Sequence, residues 1–195
     1  MDDSSDEAVI ATVEDEPILT REFEMHMRDG LIAKTYNYFS VEHDATVDDE
    51  FWTTKHGDQK PIDFLRARTL DAAVRSKVTQ ILLREQGILF EINYDAFLEE
   101  LRAENERREN TIEAGKRLFG VEEFDENEYY NHVLNNGKLR WKRHVNYGDS
   151  ELDISLPAES VDGDPVEQRI KLVIDRRARH ANVQINDDVY ERIWP

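Results

Sequence analysis

Cysteine is absent from the 195 residues, and glycine and proline are scarce, at eight and five. Without cysteine the chain has no disulfide, no thiolate nucleophile and no cysteine-ligated zinc. Neither a glycine-rich phosphate loop nor the G-x-S-x-G elbow of serine hydrolases occurs. The sequence therefore predicts no cofactor and no catalytic centre of these types.

Basic residues are also few, since 25 Lys and Arg stand against 43 Asp and Glu, a formal net charge of −18. This charge repels phosphate backbones, so we expect no nucleic-acid partner. No apolar run reaches the roughly 18 residues of a membrane span, so no transmembrane segment is expected. Met1 precedes a polar linker rather than the basic and apolar regions of a signal peptide, and we expect that a leader is missing from the sequence.

The N-terminal third predicts a strand, a helix and a loop. The β-branched run Ala8–Val13 is typical of a short strand, and the polar turn around Pro17 predicts a tight reversal into a helix. That helix is expected from about Thr20 to Ser40, with Thr20 as its N-cap. The acidic stretch Val41–Gln59 is expected to be a loop with an aromatic anchor.

Local capping signals predict the later helices. Pro61 suits the first turn of a helix that Gly87 would end, and Asn93 is a cap candidate for the next one. Asp125 with Glu128 forms a capping box. The final helix is expected to begin at Asp164 and Pro165 and to run to about Arg179.

The alternating segment Ala181–Ile185 predicts a closing strand that pairs with Ala8–Val13. The fold class is therefore predicted as mainly α (α+β), a multi-helix domain whose short N- and C-terminal β-strands pair. The predicted organisation is a linker at residues 1–7, a helical domain at 8–145, a connection at 146–163, and a closing helix and strand at 164–195.

The stretch Ala103–Gly120 has almost no core residues. We expect the helix to continue past Leu101 as a solvated arm that docks again at Leu118 and Phe119. Two i,i+4 charge pairs would support it, Glu104 with Arg108 and Glu113 with Arg117.

Candidate metal-ligating groups give no site. None of the six histidines lies four residues from another in a metal-binding motif, so packing or surface roles are favoured. Four acids could bind Ca²⁺ weakly, but the spacing is not that of an EF-hand and a solvated loop is favoured. These acids are Asp44, Asp48, Asp49 and Glu50.

Met and aromatic residues cluster in the N-terminal third. A core role is favoured for them, and the alternative is a groove for an extended or helical peptide. With the single apolar residue of the polar stretch, the candidate peptide-binding residues are Met27, Tyr36, Phe39, Phe51, Trp52 and Ile112.

Three segments carry a resemblance to a known family. "VIATVEDEPILTREFE" resembles the opening of SurA-type and PrsA-type exported chaperones, with Val13, Asp15 and Ile18 matching a V-N-G/D-E-x-I turn and Glu14 in place of the usual Asn. "LRARTLDAAVRSKVTQILLREQGI" is similar to a helix of that family, through Lys77 and Gly87. "FLEELRAENERRENTIEAGKRLFGVEEFDENEYYNHVLNN" resembles a segment of the Gram-positive relatives.

The resemblance implies a helical, extracytoplasmic chaperone domain that binds unfolded or extended polypeptide clients. Relatives commonly carry a parvulin prolyl isomerase module of roughly 90 residues, whereas about 18 residues separate Val145 from Asp164 and no Gly-Gly occurs. Isomerase activity is therefore expected to be absent. Two alternatives stay open: a degenerate isomerase that uses His180, and a scaffold that forms a homodimer by exchange of terminal elements.

Overall fold

The structure is a computed structural model that describes residues 7–146 and 164–195. Apart from residues 7 and 146, the predicted linker and the predicted connection lie outside the described residues. The strands are β1 (Val9–Val13), β2 (Glu16–Leu19) and β3 (Val183–Ile185). The helices are α1 (Thr20–Arg28), α2 (Leu31–His43), α3 (Pro61–Glu85), α4 (Tyr94–Glu113), α5 (Glu126–Asn146), α6 (Pro165–His180) and α7 (Asp187–Tyr190).

Helices dominate, and the three strands form one antiparallel sheet in the order β2-β1-β3. The predicted mainly α (α+β) class is confirmed. The predicted pairing of the terminal strands is also confirmed, because Ala11 lies opposite Ile185 and Val13 lies opposite Val183.

The described residues form two compact units. The first extends up to Lys77 and includes Asn182–Pro195, and the second is the described part of Val78–Ala181. Helix α3 contributes its first part to one unit and its last part to the other. The domain boundaries expected from the sequence stay a prediction.

Each unit has its own set of buried apolar side chains. In the first unit the largest fully buried ones are Ile10, Ile18, Phe23, Met27, Phe39, Phe51 and Leu65. In the second they include Leu83, Ile88, Tyr94, Phe97, Tyr130, Leu134 and Trp141.

The segment after β1 differs from the expectation, because a second strand precedes the first helix. Glu14 and Asp15 link β1 to β2 with φ angles of 51° and 72°. Two consecutive positive φ values define a two-residue hairpin turn of type I′, whose twist matches that of paired strands. Thr20, predicted as the N-cap, is the first residue of α1, and its hydroxyl donates to the carbonyl of Ala8 at 3.0 Å.

The predicted single helix from Thr20 to Ser40 is wrong. The helix is interrupted at Asp29 and Gly30, where Gly30 takes a left-handed φ of 74°. The apolar periodicity continues across this break, so it conceals the break in the sequence. The second helix continues to His43, three residues into the predicted loop.

Helix α3 begins at Pro61 as predicted, and Gly87 follows its end with a φ of 65°. In the second unit, α5 passes close to the last turns of α3 at Gly137. A Cβ atom at this position would lie 2.5 Å from Cδ1 of Leu83. Glycine therefore permits an approach that any larger residue would obstruct.

The predicted caps of the later helices are confirmed. The side chain of Asn93 accepts from the amide of Asp95 at 2.8 Å. Asp125 and Glu128 exchange hydrogen bonds of 3.2 and 2.7 Å, which is the capping box. Asp164 accepts from the first free amides of α6, ahead of Pro165.

Candidate functional site

Helix α4 is buried in its first turns and largely exposed in its second half, and the candidate site lies along the exposed half. Tyr94 and Phe97 in its first turns are buried, whereas most of the second half is exposed. The helix ends at Glu113, and a loop over residues 114–125 leads to α5. The predicted docking at Leu118 and Phe119 is wrong, since Phe119 is 72% exposed and Leu118 only partly buried.

The loop returns alongside α4 and is held there by side chains of the helix. The side-chain amide Nδ2 of Asn105 donates to the backbone carbonyl of Phe124. In return, the backbone amide of Phe124 donates to Oδ1 of Asn105, and both distances are 2.9 Å. This reciprocal pair fixes the end of the loop against the middle of the helix.

Arg108 makes the second attachment. Its guanidinium donates to the carbonyls of Phe119 and Val121 and lies over the ring of Phe124, 4.2 Å from the centroid. Its Nε donates to Glu104 at 2.9 Å, which is the predicted i,i+4 pair. The residue is only 6% exposed, so it acts as an enclosed cross-link rather than a solvated surface charge.

Glu104 is the acceptor for two arginines. Arg107 contacts both of its carboxylate oxygens at 2.7 Å, and this contact, ahead of the contribution of Arg108, holds the pKa of Glu104 below its usual range. Glu104 therefore stays ionised and keeps Arg108 oriented. The predicted helical pair of Glu113 with Arg117 is wrong, because the helix ends at Glu113 and Arg117 lies over the ring of Phe119.

A groove of about 650 Å³ opens between α4 and the returning loop. We call it the acidic groove, and its lining residues are Arg102, Asn105, Glu106, Glu109, Ile112, Glu113, Glu122 and Glu123. Five carboxylates and one guanidinium give it a strongly negative field, which attracts cations.

Apolar side chains are exposed on the same segment as these carboxylates. Ile112 is 44% exposed in the wall of the groove, and Phe119 and Val121 on the loop are 72% and 40% exposed. Carboxylates beside exposed apolar side chains can contact a partner that carries both cationic and apolar side chains.

The structure places four of the six candidate peptide-binding residues in the core. Met27, Phe39, Phe51 and Trp52 are each at most 9% exposed. Tyr36 is half-buried, with its ring 4.8 Å from each of the rings of Phe51 and Trp52. Ile112 lines the acidic groove, and peptide contact by any of the six stays a prediction.

Sequence reasoning missed most of the groove. Glu106, Glu109 and Glu113 recur at spacings of three and four, which places them on one helix face with Ile112. That signal was available, but an acidic chain offers many such spacings. The contributions of Glu122 and Glu123 depend on the return of the loop, which no local pattern encodes.

Neither a metal-binding cluster nor a membrane-spanning helix is found among the described residues. Over residues 7–146 and 164–195, no group of three or more His, Asp or Glu side chains could hold a metal ion. No helix of the described part is long and apolar enough to cross a membrane. His26 is buried, and this burial lowers its pKa to about 4. His180 is exposed on the last turn of α6.

Comparisons with known proteins found no protein that is similar to this chain. No family model, no curated protein and no solved structure matches it.

Proposed function

We propose that this protein is a chaperone-like, extracytoplasmic protein that binds unfolded or extended polypeptide segments and has no prolyl isomerase activity. The observation that carries the proposal is the acidic groove with exposed apolar side chains on the same segment, Ile112, Phe119 and Val121. The sequence resemblance to exported chaperones supports it from a separate direction.

The chemistry of the groove suits transient binding. Burying the exposed parts of Ile112 and Phe119 against an apolar client side chain removes apolar surface from water, at about 25 cal/mol per Å². The five groove glutamates steer cationic segments toward this surface and disfavour acidic ones. The preferred clients are therefore unfolded segments in which apolar residues alternate with Lys or Arg.

The proposal includes the absence of isomerase activity because the segment between α5 and α6 is short. The residues between α5 and α6 are too few for a parvulin module of roughly 90 residues. Cis–trans rates on a proline-containing peptide check this part. Acceleration that His180→Ala abolishes would contradict it and favour the degenerate isomerase.

The binding function is tested by light scattering from a cationic unfolded client such as reduced lysozyme. The protein in several-fold excess is expected to suppress aggregation, and the Ile112→Ser/Phe119→Ser variant is expected to lose most of the effect. The matched control is Leu139→Ser/Phe90→Ser, which removes side chains that are somewhat more exposed (52% and 87%) and lie on other segments of the chain.

Two results would count against the proposal. One is a failure of the unchanged protein to suppress aggregation, and the other is equal loss in the groove variant and the control. Because the attraction is electrostatic, suppression is also expected to weaken between about 0.05 and 0.5 M salt for the cationic client.

A further inference from the structure

The sheet of the first unit has two edges, and only one of them is blocked. On β2, Pro17 lies opposite Thr12. Since proline has no amide hydrogen, this pair cannot exchange hydrogen bonds, and Pro17 occupies a position that faces away from β1. A proline at an outward position removes the donor that an added strand would need, which is a common protection of edge strands.

The β3 edge has no such protection. The amide of Glu14 donates to the carbonyl of Asn182, and the amide of Asn186 donates to the carbonyl of Ile10, both at 2.9 Å. Hydrogen-bonded pairs alternate along an antiparallel ladder, so the bonded pair between them is Thr12 with Gln184.

The backbone groups of Val183 and Ile185 therefore point away from β1. We call these two N–H and two C=O groups the β3 edge. Among the described residues, none forms a hydrogen bond with them. The edge offers two donors and two acceptors at the spacing of a β-ladder.

The side chains around the β3 edge define what would fit it. Ile185, which is 42% exposed, lies opposite Ala11, and Val183 lies opposite Val13, so the two apolar side chains of β3 are on the same face of the sheet. An added strand would extend this apolar face at every second residue. Beyond the C-terminal end of β3, Asp187 and Asp188 are exposed and negative.

We propose that the β3 edge binds an extended polypeptide segment as a fourth, antiparallel strand. Apolar residues of the segment lie opposite Val183 and Ile185 and form four backbone hydrogen bonds. In the antiparallel direction the N-terminal end of the segment lies beside Asp187, where a Lys or Arg is favoured by charge. A second copy of the chain is a poorer occupant, because two bodies of formal charge −18 repel each other.

This binding mode is independent of the acidic groove. It uses backbone groups of the first unit, and it would hold even if Ile112 and Phe119 bound no client. The groove variants proposed above are accordingly expected to leave binding at the β3 edge unchanged, so the failure of one proposal is distinguishable from the failure of the other.

Fluorescence anisotropy with a labelled peptide, Lys-Lys-Val-Thr-Val-Thr-Gly, tests the proposal. In the expected register its two Val residues lie opposite Ile185 and Val183 and donate to them. N-methylation of both Val residues removes those donors and is expected to weaken binding at least about tenfold. N-methylation of the two Thr residues, whose amides point away, is the matched control and is expected to change binding less than about threefold.

A protein variant gives the complementary measurement. Ile185→Pro removes an outward donor that β1 does not use, and it is expected to weaken peptide binding about tenfold, whereas Ile185→Thr keeps the donor, loses only part of the apolar contact and is expected to weaken binding less than about threefold. Thermal melting of both variants shows whether the fold is retained. If Ile185→Pro does not fold, the two N-methylated peptides still decide.

Three outcomes would overturn the proposal. The first is no binding of the unmodified peptide at millimolar concentration, and the second is equal affinity of the two N-methylated peptides. The third is sedimentation showing a dimer that Ile185→Pro dissociates while the peptide stays unbound, which would make a second copy the occupant.

Discussion

The ammonium nitrogen of Lys77 lies 3.0 Å from Oε2 of Glu22, and the two side chains are 1% and 0% exposed. The pair joins α1 to α3 inside the first unit. Burying two charges costs several kcal/mol each, and their attraction offsets this cost only while both are present. We therefore expect the pair to add little to the free energy of unfolding. Its main effect is expected to be on which turn of α3 packs against α1.

Removing one member of this pair is expected to be far more damaging than removing both. Lys77→Met or Glu22→Leu alone leaves an uncompensated buried charge and should lower the free energy of unfolding by about 3–5 kcal/mol. The double variant Glu22→Leu/Lys77→Met should recover most of that loss. Urea unfolding of the four proteins measures the cycle, and additive losses would show that the two charges do not interact.

His26 predicts a pH dependence of stability. Burial, and secondarily the charge of Lys77, lowers its pKa from 6.5 to about 4, with Asp29 acting in the opposite direction. The folded state thus holds neutral His26, while the unfolded state takes up a proton below about pH 6.5. Stability from this group is complete above pH 6.5, is lost as pH falls toward 4, and changes no further below that.

The expected loss between pH 7.5 and pH 5 is about 2 kcal/mol from this residue. Urea unfolding at both pH values measures it, and His26→Gln should show a pH dependence smaller by that amount. The exposed His180 provides the control, since His180→Gln should keep the dependence of the unchanged protein. Identical pH dependence in the His26 variant would contradict the prediction.

Arg107 and Arg108 are adjacent, and they are expected to respond differently to the same substitution. Arg108→Gln removes the enclosed cross-link to the loop and should cost about 2 kcal/mol. Arg107→Gln removes an ion pair in which the arginine side chain is 59% exposed and screened by water, so it should cost far less than the Arg108 substitution.

Limited trypsin digestion gives a local measurement of the same difference. Cleavage after Lys116 and Arg117, which are exposed in the loop, should be faster in the Arg108 variant and unchanged in the Arg107 variant. Equal cleavage rates would mean that the loop keeps its position without Arg108.

A substitution in the hairpin turn between β1 and β2 is expected to increase the stability of the protein. Asp15 has a φ of 72°, a conformation that glycine adopts without steric cost. Asp15→Gly should raise the free energy of unfolding by about 0.5 kcal/mol. The control is Asp58→Gly in an exposed loop, because Asp58 has no positive φ and should gain nothing. A lower melting temperature for the Asp15 variant would argue against the turn type.

The sequence predicted those features whose chemistry is local. Asn93 and Asp164 mark helix starts because a cap acts within three residues of itself. The break at Gly30 was missed because apolar spacing continues across it. The burial of Arg108 was missed because its partners are carbonyls of a loop that returns from eleven and thirteen residues away. Composition identifies a charge, but only the tertiary structure shows whether water reaches it.

The position of β3 in the chain has a consequence for the order of events during synthesis. Its partner β1 is made first, and roughly 170 residues must follow before β3 leaves the ribosome. Closing so long a loop is slow relative to local helix formation. The described part of the second unit can therefore fold while β1 and β2 form only a two-stranded hairpin, and the sheet is completed last when β3 pairs with β1.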